Sequence, residues 1–156
     1  MAKKDKVGLR GLITFEVTNK KGKLKEKKSI KNVICDLGLK AITGLTGNID
    51  SQTAFTYLGV GIGTTAANQT DTALESEIVD SGLARASVTP TSETTTETDD
   101  TLQLVKAWSV SGTKAVTECG ILNAGAAGVL LGHQVFSAIN VVSGDTLTVT
   151  YQVVFS

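Results

Sequence analysis

The clearest indication of the fold is the stretch T-L-T-V-T-Y-Q-V-V-F, residues 146–155. Apolar side chains occupy every second position from Leu147 to Phe155, and Thr or Gln occupies most of the positions between them. Successive side chains of a strand point to opposite faces of the sheet, so a period of two is typical of a half-buried strand. Threonine, valine and tyrosine also favour strands. The stretch therefore predicts an antiparallel strand with one face on the core.

Similar segments recur along the rest of the chain and are separated by turn residues. Seven or eight short strands with regular turn signals are typical of an antiparallel β-sandwich or jelly roll. We therefore predict a mostly all-β protein. Residues 23–30 are either the returning strand of a first hairpin or an extended arm. The other predicted strands cover residues 7–19, 55–62, 81–90, 101–110, 115–124 and 129–141.

One segment, residues 31–46, changes to a helical period. Its apolar residues fall near i, i+3, i+7 and i+11, which places them on one face of a helix. Asn32 is the predicted N-cap and Gly47-Asn48 the predicted stop. We expect this single short helix to pack on one sheet or to close one end of the sandwich. The residues of its predicted inner face are Ile34, Leu37, Ala41 and Leu45.

Charge is divided unevenly along the 156 residues, although the net charge is zero. Residues 1–31 contain eleven Lys or Arg and three Asp or Glu, whereas residues 32–156 contain four and twelve. We interpret residues 1–31 as a basic N-terminal hairpin or arm and residues 32–156 as the β-sandwich, together forming one continuous domain. Such asymmetry indicates a basic element that meets an acidic partner.

The lysines of the basic region are the candidate partner-binding residues. They could form a solvated hairpin edge, a docking arm for an acidic protein surface, or a nucleic-acid contact. A nucleic-acid surface usually combines lysines with aromatic residues or arginine, and residues 20–31 contain neither, so we do not expect nucleic acid as the partner. The candidates are Lys20, Lys21, Lys23, Lys25, Lys27, Lys28 and Lys31.

Side chains capable of catalysis are few. His133 is the only histidine and lies within a predicted strand, where we expect a neighbour to satisfy it. Glu118 is a lone acid in an apolar strand, and we predict a buried carboxylate that accepts backbone hydrogen bonds. Cys119 is predicted to be a small core residue, and Cys35 a second free thiol. We therefore predict no enzymatic activity, no metal site and no cofactor.

Neither a signal peptide nor a membrane span is expected. The first residues, MAKKDKVG, lack an apolar core, and no apolar run approaches the length of a membrane span. We therefore expect a protein made in a reducing cytoplasm without a membrane partner.

The glycine-rich segment TYLGVGIGTTAANQTDTALESEI, residues 56–78, raises the question of a phosphate-binding loop. It has no lysine for a Walker loop, and Thr64 stands where a dinucleotide fingerprint needs its third glycine. Alternation of glycine with apolar residues indicates instead a strand that another backbone approaches closely. Residues 70–79 are predicted to form a short helical turn, with Thr70 or Asp71 as its cap.

In their order along the chain, four segments resemble those of small structural proteins of tailed bacteriophages, both capsid-decoration-like and tail-fibre-like. They are SIKNVICDLGLKAITGL (29–45), the glycine-rich segment 56–78, AVTECGILNAGAAGVLLGHQVFSAINV (115–141) and VSGDTLTVTYQVVF (142–155). Where such proteins often carry arginine, this chain has His133. The resemblance implies assembly rather than catalysis, and it implies that GVGIGTT (59–65) is a structural strand and its exit.

The resemblance thus predicts a virion structural protein, a capsid decoration protein on the outer capsid surface that binds the major capsid protein and itself, as a homotrimer. The alternatives are a tail, neck or fibre component and a carbohydrate-binding module. The last would need an exposed aromatic platform, whereas Trp108, Tyr57 and Tyr151 all fall in strand patterns.

Overall fold

A computed structural model describes residues 8–156 and contains nine strands and one helix within them. The start of the predicted basic region, residues 1–7, lies outside the described residues. The helix is α1 (Asp36–Gly47). The strands are β1 (Leu9–Thr18), β2 (Leu24–Ile34), β3 (Tyr57–Gly61), β4 (Ala86–Ser87), β5 (Thr91–Glu93), β6 (Thr101–Ser109), β7 (Lys114–Leu122), β8 (Leu130–Val141) and β9 (Thr146–Phe155).

All nine strands belong to one antiparallel sheet in the order β4-β3-β7-β8-β2-β1-β9-β6-β5. The sheet curls on itself at β2, which pairs with β1 along most of its length but with β8 only through Val33 and Ile34. Its two halves share one core, in which Val60 and Ile121 of one half join Phe15 of the other. The prediction of a mostly all-β antiparallel fold is confirmed.

The basic hairpin is part of this sheet. β1 lies between β2 and β9 and contributes Ile13, Phe15 and Val17 to the core, each at most 1% exposed. The turn between β1 and β2 is held by Asn19, whose side-chain oxygen accepts hydrogen bonds from the backbone N–H groups of Lys21 and Lys23. Residues 9–34 therefore form two strands of the domain, and the alternative of an extended arm does not apply to them.

The predicted helix exists and Ala41 of its predicted inner face is buried, but its start and the rest of that face were wrong. It begins at Asp36 because residues 31–34 continue β2, and Asn32 lies in that strand rather than at the N-cap. Leu37 and Leu45 remain 44% and 38% exposed. The buried face consists of small residues instead. The predicted stop is confirmed, since Asn48 ends the helix in the left-handed conformation.

The close approach of α1 to β8 explains the glycine at position 38. A Cβ atom on Gly38 would lie 2.5 Å from the Cα atom of Leu131. Because that distance is shorter than any normal contact between carbon atoms, the two backbones can approach in this way only at glycine. The residues that α1 buries are Gly38, Ala41 and Gly44.

Two further predictions were wrong in detail. Residues 70–79 contain no helical turn, and the predicted strand 81–90 shrinks to β4, two residues long. In the first segment the carboxylate of Glu118 accepts the backbone N–H groups of Glu75 and Ser76. In the second segment the indole N–H of Trp108 donates to the backbone oxygen of Ala84. Within residues 8–156, no helix is long and apolar enough to cross a membrane.

Candidate interaction site

The seven candidate lysines fall into two groups in the structure. Lys25 and Lys27 form ion pairs with Asp145 and Glu16. Lys28 donates to the backbone oxygen of Ser137 at 2.9 Å, and its ammonium lies 5.8 Å from the centre of the Phe136 ring. These three side chains are therefore already bound within the sheet. The other four, Lys20, Lys21, Lys23 and Lys31, form no ion pair with any residue between 8 and 156.

The unpaired lysines are not all in one place. Lys20, Lys21 and Lys23 lie together on the turn between β1 and β2, which we call the hairpin tip (residues 19–25). Lys31 lies eight residues beyond Lys23 in β2. At about 3.3 Å per residue this distance is about 26 Å. At the tip, three of the predicted lysines therefore lie together without an ion pair to any residue between 8 and 156.

The hairpin tip packs against the turn between β8 and β9. Lys25 and the backbone N–H of Val142 both bind the carboxylate of Asp145, which is 4% exposed. The two elements border a cleft of about 500 Å³ whose walls include Lys20 and Lys21. The ammonium of Lys25 holds the pKa of Asp145 below its ordinary value. The tip is therefore anchored to the body of the protein.

A second cluster of titratable side chains surrounds Glu118, which is fully buried in β7. One carboxylate oxygen accepts the N–H groups of Gly63 and Ser76 at 3.0 and 2.7 Å. The other accepts the N–H of Glu75 at 2.9 Å and faces Nε2 of His133 at 3.1 Å. The prediction that Glu118 accepts backbone hydrogen bonds is confirmed. The carboxylate ties the segment 63–76 to the sheet.

His133 in β8 lies between two carboxylates. Its Nε2 faces Glu118, and its Nδ1 lies 2.8 Å from Oδ2 of Asp71. Burial by itself would lower the pKa of His133, but the hydrogen bonds and charges of the two carboxylates outweigh it and raise that pKa. Both contacts are satisfied together only when both ring nitrogens carry protons. The prediction that a neighbour satisfies this histidine is confirmed.

The pKa values of the two carboxylates move in the opposite direction. Burial would raise the pKa of Glu118 and of Asp71, but hydrogen bonds from the backbone and from His133 lower both. Charge and hydrogen bonding thus outweigh burial and favour an imidazolium between two carboxylates. Every polar atom of the Glu118 carboxylate is engaged in this packing, and the cluster as a whole fixes the loop.

The same cluster answers the phosphate question for the glycine-rich segment. Residues 63–65 of this segment do present backbone N–H groups as an anion-binding loop would, but carboxylates of the protein itself bind these groups. Glu118 binds Gly63, and Glu75 accepts the N–H groups of Thr64 and Thr65 at 2.6 and 2.8 Å. The glycines also admit close neighbours, because a Cβ on Gly61 would lie 2.5 Å from the backbone oxygen of Ser76.

The two cysteines are buried, free thiols, and they are not paired with each other. Burial raises the pKa of Cys35 to about 12, and the nearby carboxylates of Asp71 and Asp36 act in the same direction. Burial also raises the pKa of Cys119 well above its ordinary value. A thiol is nucleophilic only as the thiolate, so neither residue is set up as a nucleophile at neutral pH.

Two functional features were not foreseen from the sequence. Asp145 was not among the candidate residues and Asp71 was predicted only as a cap, although Asp145 anchors the hairpin tip and Asp71 binds His133. Each partner lies more than 60 residues away along the chain. No local pattern carries such a pairing. Within the described residues, no group of three or more His, Cys, Asp and Glu side chains is arranged to hold a metal ion.

Comparison with protein-family models, with curated proteins and with solved structures finds no match to this chain.

Proposed function

We propose that this chain is a non-enzymatic structural protein of a virion, most specifically a capsid decoration protein. It docks on an acidic outer surface of the major capsid protein through the hairpin tip and associates with itself as a homotrimer. The virion role and the trimeric state rest on the resemblance of four segments, in their order along the chain, to phage structural proteins. The structure contributes support for the docking element.

The observation that carries the proposal is the group of three free lysines at the hairpin tip. Lys20, Lys21 and Lys23 are exposed and form no ion pair within residues 8–156, whereas the neighbouring Lys25 and Lys27 do. The turn that carries them is held by Asn19 and by the ion pair to Asp145. A fixed cluster of like charges steers an oppositely charged partner and sets its register.

The interior titratable groups support a role without catalysis. Glu118 and His133 are 0% and 3% exposed, and their hydrogen-bonding atoms are taken up by the loop that they hold. The thiols of Cys35 and Cys119 are buried and protonated. These are the side chains that the sequence offered for acid–base or nucleophilic chemistry, and each one serves packing.

The proposal is tested by cosedimentation of the purified protein with phage heads that lack it, at low and high salt. Deletion of residues 1–31 is not a usable variant, because it would remove β1 and its core residues. The informative variant is Lys21→Glu/Lys23→Glu. Its control is Lys31→Glu/Lys40→Glu, which reverses two exposed lysines away from the tip.

We expect saturable binding that weakens with salt. The tip variant should lose at least about tenfold in affinity, or about 1.4 kcal/mol, and the control should bind nearly as the wild type does. Absence of binding to heads, together with attachment to isolated tails or fibres, would refute the decoration role. An equal loss in both variants would refute the hairpin tip as the docking element.

A further inference from the structure

We infer that the hairpin tip is one part of a larger docking platform, which receives an acidic protein segment that also carries apolar side chains. The platform consists of the hairpin tip and the turns 142–145, 109–112 and 79–82. The inference rests on the proposed function for the identity of the partner, but the chemistry of the surface can be tested without it.

The four elements form a continuous row at one end of the sheet. The tip touches the turn 142–145 through Lys25 and Asp145. Backbone hydrogen bonds of 2.9 Å then connect Gly144 to Val110 and Ser111 to Ser81. Each turn is thus bonded to the next one. A surface held in this way keeps its shape when a partner binds, which reduces the entropic cost of association.

Positive charge is in excess on this platform. Its two acidic side chains, Asp80 and Asp145, are each bound to a lysine, Lys114 and Lys25 respectively. Lys20, Lys21 and Lys23 remain without a carboxylate from the described residues. The complementary partner is therefore acidic. The platform residues include no arginine and no aromatic side chain, which disfavours a nucleic acid as the partner.

The platform also exposes apolar side chains next to the charges. Leu24 and Val142 are 50% and 44% exposed, and Val79, the first residue of the turn 79–82, is 80% exposed. Val142 shares the walls of the cleft with Lys20 and Lys21. Single exposed apolar residues are normal, but apolar side chains inside a charged rim are typical of protein interfaces. Charge would orient the partner, and these side chains would supply contact area.

The test measures fluorescence anisotropy of labelled peptides with the full-length protein. One peptide alternates Glu with Leu, a second alternates Glu with Ser, and a third alternates Lys with Leu. We expect the Glu–Leu peptide to bind at least about tenfold more tightly than the Glu–Ser peptide, and the Lys–Leu peptide not to bind. Equal affinity for the two acidic peptides would overturn the inference, because the surface would then recognise charge alone.

Two variants locate the binding surface. Leu24→Ser/Val142→Ser should remove most of the preference for the Glu–Leu peptide and leave binding of the Glu–Ser peptide unchanged. The matched control, Leu39→Ser/Val105→Ser, removes two side chains of similar exposure elsewhere, 43% and 45%, and should retain the preference. Loss of the preference in the control but not in the platform variant would overturn the inference.

Competition separates this platform from other partners and from the proposed function. Tighter binding to duplex DNA or to vesicles of anionic lipid than to the Glu–Leu peptide would overturn the inference in favour of those partners. Peptide binding by a protein that fails to bind heads would uphold the platform and refute the capsid as its target. Binding to heads without any peptide binding would support the capsid as the target and refute the platform as the binding surface.

Discussion

Replacement of Glu118 by Gln tests the central claim about the buried cluster. The two side chains have the same shape, but the amide has one acceptor oxygen where the carboxylate has two. Whichever way the amide lies, its NH2 group faces donors. If it replaces Oε2, it meets the N–H of Glu75 and Nε2 of His133; if it replaces Oε1, it meets the N–H groups of Gly63 and Ser76.

The expected loss follows from these bonds. Hydrogen bonds to a charged group contribute about 1.5–3 kcal/mol each, and a buried donor without a partner costs about 1–3 kcal/mol. Two of the four bonds are affected, and His133 can recover one of them by losing its Nε2 proton and accepting from the amide. We therefore expect Glu118→Gln to lower the free energy of unfolding by about 2–4 kcal/mol, a large part of the stability of an ordinary domain.

The assay is urea denaturation followed by the fluorescence of Trp108, which is 3% exposed and donates to the backbone oxygen of Ala84. The midpoint should fall with the slope unchanged. The control is Glu75→Gln. Glu75 also accepts hydrogen bonds from the loop, but it is exposed, so water replaces what is lost and the effect should be much smaller. A loss below about 1 kcal/mol for Glu118→Gln, or equal losses in both variants, would refute the reasoning.

Two further predictions concern the pH dependence and the helix. Because folding raises the pKa of His133, protonated His133 contributes fully to the free energy of unfolding below its ordinary pKa of 6.5. This contribution is lost as the pH rises through the folded-state pKa. Folding lowers the pKa values of Asp71 and Glu118 from 3.8 and 4.5, so the two carboxylates contribute fully to the free energy of unfolding above those values. These contributions are lost as the pH falls through the folded-state pKa values. Urea midpoints should therefore be highest between these limits. The decline between pH 6.5 and 9.0, which lies below the ordinary pKa of the two buried thiols, should disappear in His133→Gln, and its persistence there would contradict the assignment. Gly38→Ala should cost about 1–3 kcal/mol by overpacking, because its Cβ would meet Leu131 at 2.5 Å. Gly47→Ala, where the nearest atom is 3.6 Å away, should be nearly neutral in the same measurement.

The strands could be predicted because their signal is local. β9 was predicted with the observed bounds, and its residues Leu147, Val149, Tyr151 and Val153 are all fully buried. A strand that lies half on a core must alternate, whatever its neighbours are. The exception, Phe155, is 38% exposed because it lies at the end of the strand, where the core ends.

The inner face of α1 could not be predicted in the same way. Helical periodicity marks large apolar residues as buried, and here it selected Leu37 and Leu45. The tertiary structure brings the backbone of β8 so close that only glycine fits at position 38, and it places Gln52 equally close to Gly44. The distance between two packed elements is not written in the sequence of either one.

Local pattern and composition were enough to establish the all-β class and the concentration of positive charge in residues 1–31. They also indicated that Glu118 and His133 have hydrogen-bond partners, because a buried lone polar side chain requires partners wherever it lies. Only the tertiary structure decided which partners these are. Asp71 reaches His133 and Asp145 reaches Lys25 across 62 and 120 residues, because the curled sheet brings distant strands together. Among the seven candidate lysines, the contacts of Lys25, Lys27 and Lys28 leave the other four without an ion pair to any residue between 8 and 156. Three of those four lie together at the hairpin tip, where a lysine that the fold has not already used is available to a partner.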